Sequence, residues 1–266
     1  MRVATFNLQS GKPNGFVSQL NDTPSQKLSG RRIEASPRLA SEQAVKMSAA
    51  RLATLAPDVV CLQEVLGALS TPFIEQAGAP WREFALARRR FNLRSPRSNE
   101  RYGIAMYSRL PIVRSWRWWL PSWRSPLRRT ATGTSLRVEE QRRAIVALMK
   151  DGAQPVLVCA THLAPASELG VRQLRWLEDR LEKLAQQMRF SAIPRLIVGD
   201  LNMRPEMLGN QTRYTVLAEG LTYPSGNPRT QIDHILGRGM AGGDSWTELM
   251  PISDHRALIA DVHVVR

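Results

Sequence analysis

Apolar residues in this chain fall into short, nearly unbroken runs separated by polar stretches, the pattern of buried strands rather than of long amphipathic helices. Residues 3–8 form the first run. About thirty residues rich in Ser, Pro, Gly and Asn follow it, from 9 to roughly 40, and predict a long loop. Ser41 is placed to cap a helix running to about Leu55, with Ala44, Met47, Ala50 or Arg51, and Leu55 on one face. Pro57 stops it. Residues 58–65 then read as a buried strand whose carboxylates stand only at its ends, so Glu64 falls at the C-terminal edge.

Residues 101–108 and 112–119 predict two further strands, with Leu110-Pro111 between them. Around their end Trp116, Trp118, Trp119 and Trp123 interleave with Arg114, Arg117, Arg124, Arg128 and Arg129, while Pro121 and Pro126 interrupt regular structure. A projecting hairpin or loop is expected there. Residues 144–150 and 156–161 suit a strand pair joined through Asp151-Gly152. Leu174, Leu177, Leu181, Leu184 and Met188 mark one face of a helix over about 168–189. Strands are expected again at 196–200, 231–236 and 257–265, and no repeat or linker divides the 266 residues, so one domain is expected.

Composition changes this picture in two respects. The hydrophobic fraction of 43% is ordinary, but 37 basic against 23 acidic residues leave +14, which predicts an anionic partner. The excess is local: 16 arginines and 4 glutamates lie between Arg82 and Arg143, supplying +12 of it. Cys61 and Cys159 each sit inside an apolar run, where small buried side chains belong, and predict neither a disulfide nor a metal site. No basic leader and no stretch of about 18 apolar residues is present, so a cytoplasmic, monomeric protein is expected.

Six apolar runs begin or end in residues capable of metal, phosphate or proton chemistry: FNLQS, CLQEV, ATHLA, VGDLNMRP, TQIDHIL and ISDHRAL. One carboxylate at a strand end is ordinarily a turn former. Six such segments in one chain are what a site at converging strand ends requires.

In order and spelling these segments resemble the endonuclease/exonuclease/phosphatase superfamily, which includes deoxyribonuclease I-like nucleases, abasic-site endonucleases, sphingomyelinases and inositol polyphosphate phosphatases. The resemblance runs from Val3 to Val262 and rests on Asn7, Glu64, His162, the GDxN motif at Gly199 to Asn202, Asp233, and the SDH motif at Ser253 to His255. It implies an α/β four-layer sandwich, two packed mixed β-sheets flanked by helices. It also implies a divalent-metal-dependent phosphoesterase.

Hydrolysing a phosphate ester requires neutralised non-bridging oxygens, an aligned and deprotonated water, and help for the leaving oxygen. Hard oxygen donors suit Mg²⁺ or Mn²⁺, with Glu64 as principal ligand and Asn7 and Asp254 beside it. The family pattern pairs His255 with Asp233 as a general base, and Asp200 with Asn202 would hold the water. The alternative makes Asp200 the base and the protonated His255 a phosphate ligand. His162 would donate to a phosphate oxygen, and Glu100 matches an acidic residue that supports this histidine in deoxyribonuclease-like members. Alternation turns His234 to the opposite face from Asp233, in a packing role.

Substrate is less sharply marked. Abasic-site endonucleases carry tyrosine where this chain has His162, which makes that subclass a poorer match. Arg117, Trp119, Trp123, Arg124 and Arg128 suit unpaired nucleic acid, where arginines meet phosphates and indoles stack on bases. The same mixture suits an anionic lipid surface, and the core equally serves a phosphorylated small molecule. A nuclease is the favoured reading, ahead of a lipid or small-molecule phosphoesterase and of a binding module without activity.

Overall fold

The computed structural model describes residues 1–13, 37–66, 72–73, 75, 81–89, 101–122, 128–130, 133–135, 141–165, 168–188 and 192–265. Its frame is two mixed six-stranded sheets. The first contains β1 (Arg2–Asn7), β2 (Val59–Leu66), β3 (Trp81–Arg89), β4 (Arg101–Ser108), β13 (Met240–Glu248) and β14 (Ala257–Val264), in the order β13-β14-β1-β2-β4-β3. The second contains β5 (Ile112–Trp119), β8 (Arg143–Asp151), β9 (Gln154–His162), β10 (Arg195–Asp200), β11 (Thr215–Val216) and β12 (Asp233–Arg238), in the order β11-β12-β10-β9-β8-β5. A ribbon of β6 (Arg128–Thr130) and β7 (Gly133–Ser135) stands apart.

Three apolar layers hold this frame together. Between the sheets, Val3, Val59, Cys61 and Ile104 meet Ile145, Val158, Val198 and Ile235. Outside the first sheet, Phe6, Val60 and Leu62 pack on α1 (Pro37–Thr54). Outside the second, Cys159, Ile197 and Leu236 pack on Leu174, Leu177 and Leu181 of α2 (Glu168–Gln187). The result is the expected order of helix, sheet, sheet, helix, because the central strands bury side chains on both faces. Both cysteines are free and buried, as their apolar runs predicted.

Several sequence expectations are corrected. α1 starts at Pro37, before Ser41, since proline is well suited to a helix's first turn, where its missing N–H has no partner to lose. Its buried face is Ala44, Val45, Ser48, Ala49 and Leu52, while Met47 is exposed. The Arg/Trp stretch through Trp119 does not project: Ser115 to Trp119 pair in register with Ala147 to Arg143 as an edge strand. Trp118 is buried there and meets Trp176 of α2 edge to face, centroids 6.1 Å apart. β8 and β9 are joined by Gly152 and Ala153, with Asp151 opposite Gln154. Strands β3 and β13 were not anticipated. Arginines and glycines dilute their apolar alternation.

Gly199 sets the closeness of β9 and β10. It pairs with Thr161 at φ +151°, and a Cβ built on it would lie 1.9 Å from the Thr161 carbonyl oxygen. Only glycine fits this approach, which sets Asp200 beside His162 on the next rung. Gly199→Ala is expected to lose about 3 kcal/mol of stability in urea unfolding. A loss below about 0.5 kcal/mol would contradict this account of the glycine.

Candidate active site

One rung of the second sheet carries most of the chemistry. In β8, β9, β10 and β12 the residues facing the first sheet include Ile145, Ala160, Val198 and Ile235, so Arg143, His162, Asp200 and Asp233 continue on that same face. His162 pairs with Asp200, and Asp200 with Asp233. Ala144 pairs with Thr161, which sets Arg143 opposite His162, and Arg143 pairs with Trp119. A single row therefore runs Trp119, Arg143, His162, Asp200, Asp233 across five strands. The apolar layer between the sheets ends here in polar groups.

Asp200 is the hub. Its Oδ2 accepts from Asn7 Nδ2 at 2.9 Å and lies 3.4 Å from His162 Nε2 and 3.9 Å from His255 Nε2. Its Oδ1 accepts from the Asn202 backbone N–H at 2.9 Å, and Asn202 Nδ2 in turn donates to the Leu163 carbonyl. Asn202 has φ 53°, a left-handed geometry that Asn tolerates better than most residues. Asn7, predicted beside the metal, faces the same gap, and its Oδ1 accepts from the Gln9 backbone N–H. Its amide bridges the two sheets through Asp200.

His255 reaches Asp233 Oδ2 through Nδ1 at 2.8 Å, the pairing that the resemblance implied. Ser253, a member of the SDH motif with no role assigned from sequence, holds this turn. Its hydroxyl donates to the Asn7 carbonyl and accepts from the His255 N–H, with φ at 79°. Tyr223, which no sequence signal singled out, lies against the imidazole with ring centroids 5.1 Å apart. His234 is buried on the other face, its Nε2 2.8 Å from the Met203 carbonyl, in the packing position that alternation predicted.

The local field separates the two histidines. Burial pushes His162 well below the ordinary histidine range, with Arg142 and His255 adding to the effect, so its ring is neutral. Burial also opposes charge on His255, but the charge and hydrogen bond of Asp233, then Asp200 and Asp254, outweigh it and raise the imidazole to about 10. Burial, followed by repulsion from Asp233, raises Asp200 to about 7, although His255, Asn7 and Asn202 pull the other way.

Glu64 stands at the corresponding end of the first sheet. Leu62 and Val65 both pack on that sheet's outer side, which a regular strand cannot do at a spacing of three. A bulge between them supplies the extra residue, and Glu64 takes φ 53° within it. Among the described residues nothing hydrogen-bonds its half-buried carboxylate, and it is one step beyond Gln63, the partner of Asn7. Asp254 is 38% exposed and lies 3.9 Å from His255 Nε2.

These groups fit a divalent cation. Ligand atoms of Asp200, Asp233 and His255 lie within 4.8 Å of one another, and Asp233 Oδ1 is buried with no partner among the described residues. Two buried carboxylates with an unsatisfied oxygen suit a hard cation held close by; Asp254 lies beside His255, and Glu64, at the matching end of the first sheet, has a carboxylate with no partner among the described residues.

Of the residues expected to bind substrate, Arg117 donates to Glu83 at 2.6 Å and so ties the edge strands of the two sheets. Trp119 is on the site row. Arg128 lies on the small ribbon, and Glu100, Trp123 and Arg124 fall outside the described residues.

Residues 4–255 match the model of the endonuclease/exonuclease/phosphatase family. No curated protein matches the chain in sequence. Solved structures do share its fold. A protein of this family from Leptotrichia buccalis is 12% identical, with a TM-score of 0.67 and 99% of each chain covered. A mannosyl-6-phosphatase from Bacteroides thetaiotaomicron is 14% identical, with a TM-score of 0.65 and 99% of each chain covered. Truncated TDP2 from Caenorhabditis elegans is 14% identical, with a TM-score of 0.64, and the match covers 99% of this chain and 96% of that one. With the family match reaching from β1 to the SDH motif and the same strand ends converging in space, this chain belongs to the endonuclease/exonuclease/phosphatase family of divalent-metal-dependent phosphoester hydrolases.

Proposed function

We propose that the chain is a Mg²⁺- or Mn²⁺-dependent phosphodiesterase that cleaves nucleic acid. The observation that supports this substrate most is the placement of charge. Arg143 is the neighbour of His162 on the site row, and Arg88, Arg89 and Arg101 stand on β3 and β4 at the same end of the first sheet as Glu64. A polyanion is held by such a flank.

Glu64, with Asp254 and Asn7 nearby, would hold the cation, which supplies charge neutralisation on the phosphate and a more acidic water when bound. The remaining work belongs to the protein. Asp200, poised near neutrality and steadied by Asn7 and Asn202, accepts the proton of the attacking water. His255, kept charged by Asp233, donates to a non-bridging oxygen, and as the P–O bond to the leaving group breaks, neutral His162 donates a hydrogen bond to the leaving oxygen, which takes its proton from solvent.

A second reading, a phosphorylated small molecule as substrate, draws on the mannosyl-6-phosphatase of the same fold and on the engagement of Arg117 by Glu83. An anionic lipid headgroup belongs with it. One panel separates them: end-labelled DNA and RNA, sugar and inositol phosphates, and sphingomyelin, each with Mg²⁺, Mn²⁺ or EDTA. Oligonucleotides are expected to be cleaved fastest, in a metal-dependent and steeply salt-dependent way. Faster hydrolysis of any of the small or lipid substrates would overturn the nuclease reading.

A further inference from the structure

The site row does not end at His162. Beyond it lie Arg143 and then Trp119, on the same face and the same rung. Strands are about 4.8 Å apart, so three steps put Trp119 roughly 14 Å from Asp200.

Trp119 differs from its neighbours. Trp118 is 9% exposed and turns to α2, whereas Trp119 is 51% exposed at the site end of the edge strand. One side of its ring is covered: the Arg143 guanidinium carbon lies 3.2 Å from the ring centroid. Arg143 Nε is buried with no acceptor among the described residues, and the nearby Arg117 is engaged by Glu83. A cation is thus fixed under an indole while much of the indole faces solvent. Packing alone gives no reason for that exposure, because a large aromatic contributes most when covered.

We propose that Trp119, backed by Arg143, is a stacking platform that positions an unpaired nucleobase about three strand widths from the phosphodiester cleaved at Asp200. This rests on the nuclease reading. An indole with an accessible surface accepts any base, and the arginine beneath it adds positive charge along the path to the scissile phosphate. Bases inside a duplex present no free face, so the platform selects single-stranded or frayed substrate.

The test uses single-stranded oligonucleotides, intact or with one abasic tetrahydrofuran residue moved stepwise along the strand, and the wild-type, Trp119→Ala and Trp119→Phe proteins with Mn²⁺. Methyl p-nitrophenyl phosphate, too short to reach Trp119, reports the basal reaction. For the wild type, KM is expected to rise about 10-fold when the gap falls at one fixed distance from the cut, with kcat nearly unchanged. Trp119→Ala is expected to show the raised KM on every oligonucleotide and no response to the gap. Trp119→Phe is expected to recover most of the affinity, with the small diester hydrolysed equally by all three. Equal KM for Trp119→Ala and wild type on the intact strand would overturn the platform and leave the nuclease reading standing. Loss of small-diester hydrolysis in both variants would also overturn it, because Trp119 would then support the scaffold. A wild type that hydrolyses the small diester but no oligonucleotide would remove the nuclease reading and the platform together.

Discussion

Asp233→Asn is expected to lower kcat on the order of 10³-fold while the protein still folds, because the substitution removes charge but little volume. The effect follows from opposed influences on His255. Burial drives the imidazole toward its neutral form, and Asp233 is the first of the groups that reverse this, lifting it to about 10. Without that charge, burial prevails. The His255 titration followed by NMR in the metal-free variant is expected to fall from about 10 to near or below 6.5. The sign also fixes a stability window. A histidine raised from 6.5 to about 10 on folding stabilises the native state fully below pH 6.5, and this contribution is lost as pH rises through 10. Asp233→Asn therefore costs stability at pH 6 but little above pH 10. An unchanged His255 titration would contradict the pairing.

Asp200→Asn is expected to reduce turnover by at least about 10³-fold with no loss of thermal stability at pH 8. Four polar residues of the site meet this carboxylate: Asn7, His162 and His255 at Oδ2, and Asn202 at Oδ1. Its folded value, raised to about 7, means that ionisation opposes folding. Relative to the ionised state, the stability associated with the protonated carboxyl is present below pH 3.8 and lost as pH rises through 7. Asparagine resembles the protonated form, so the metal-free variant is expected to melt no lower than wild type at pH 8. A comparable loss of activity and stability together would mark Asp200 as scaffold. Retention of activity would remove it from the chemistry.

How much of this was legible in the sequence follows from what each signal depends on. The buried strands ending in His162 and Asp200 were readable because burial on both faces leaves long apolar runs, and the polar residue that closes such a run stands out. The dyad of Asp233 and His255 came from the resemblance, since no local pattern joins residues on separate elements. β3 and β13 were hidden: β3 carries Arg82, Arg88 and Arg89, and β13 carries two glycines with a register shift. The clamp of Ser115 and Arg117 on Glu83 was equally hidden, because a basic residue in a basic stretch reads as substrate contact until its partner across the sheets is seen. The bulge at Glu64 left no mark either. A bulge is an accident of pairing between two strands, and one strand's sequence does not record it.

Hydrolysis at the carboxylate and histidine row requires a divalent cation in this reading of the site. The most direct measurement is methyl p-nitrophenyl phosphate hydrolysis by wild type and Asp200→Asn, in EDTA and after return of Mg²⁺ or Mn²⁺. Wild type is expected to turn over only after metal is returned, and the variant at least about 10³-fold more slowly under the same conditions. Wild-type turnover undiminished in EDTA, or a variant as fast as wild type with metal, would contradict it.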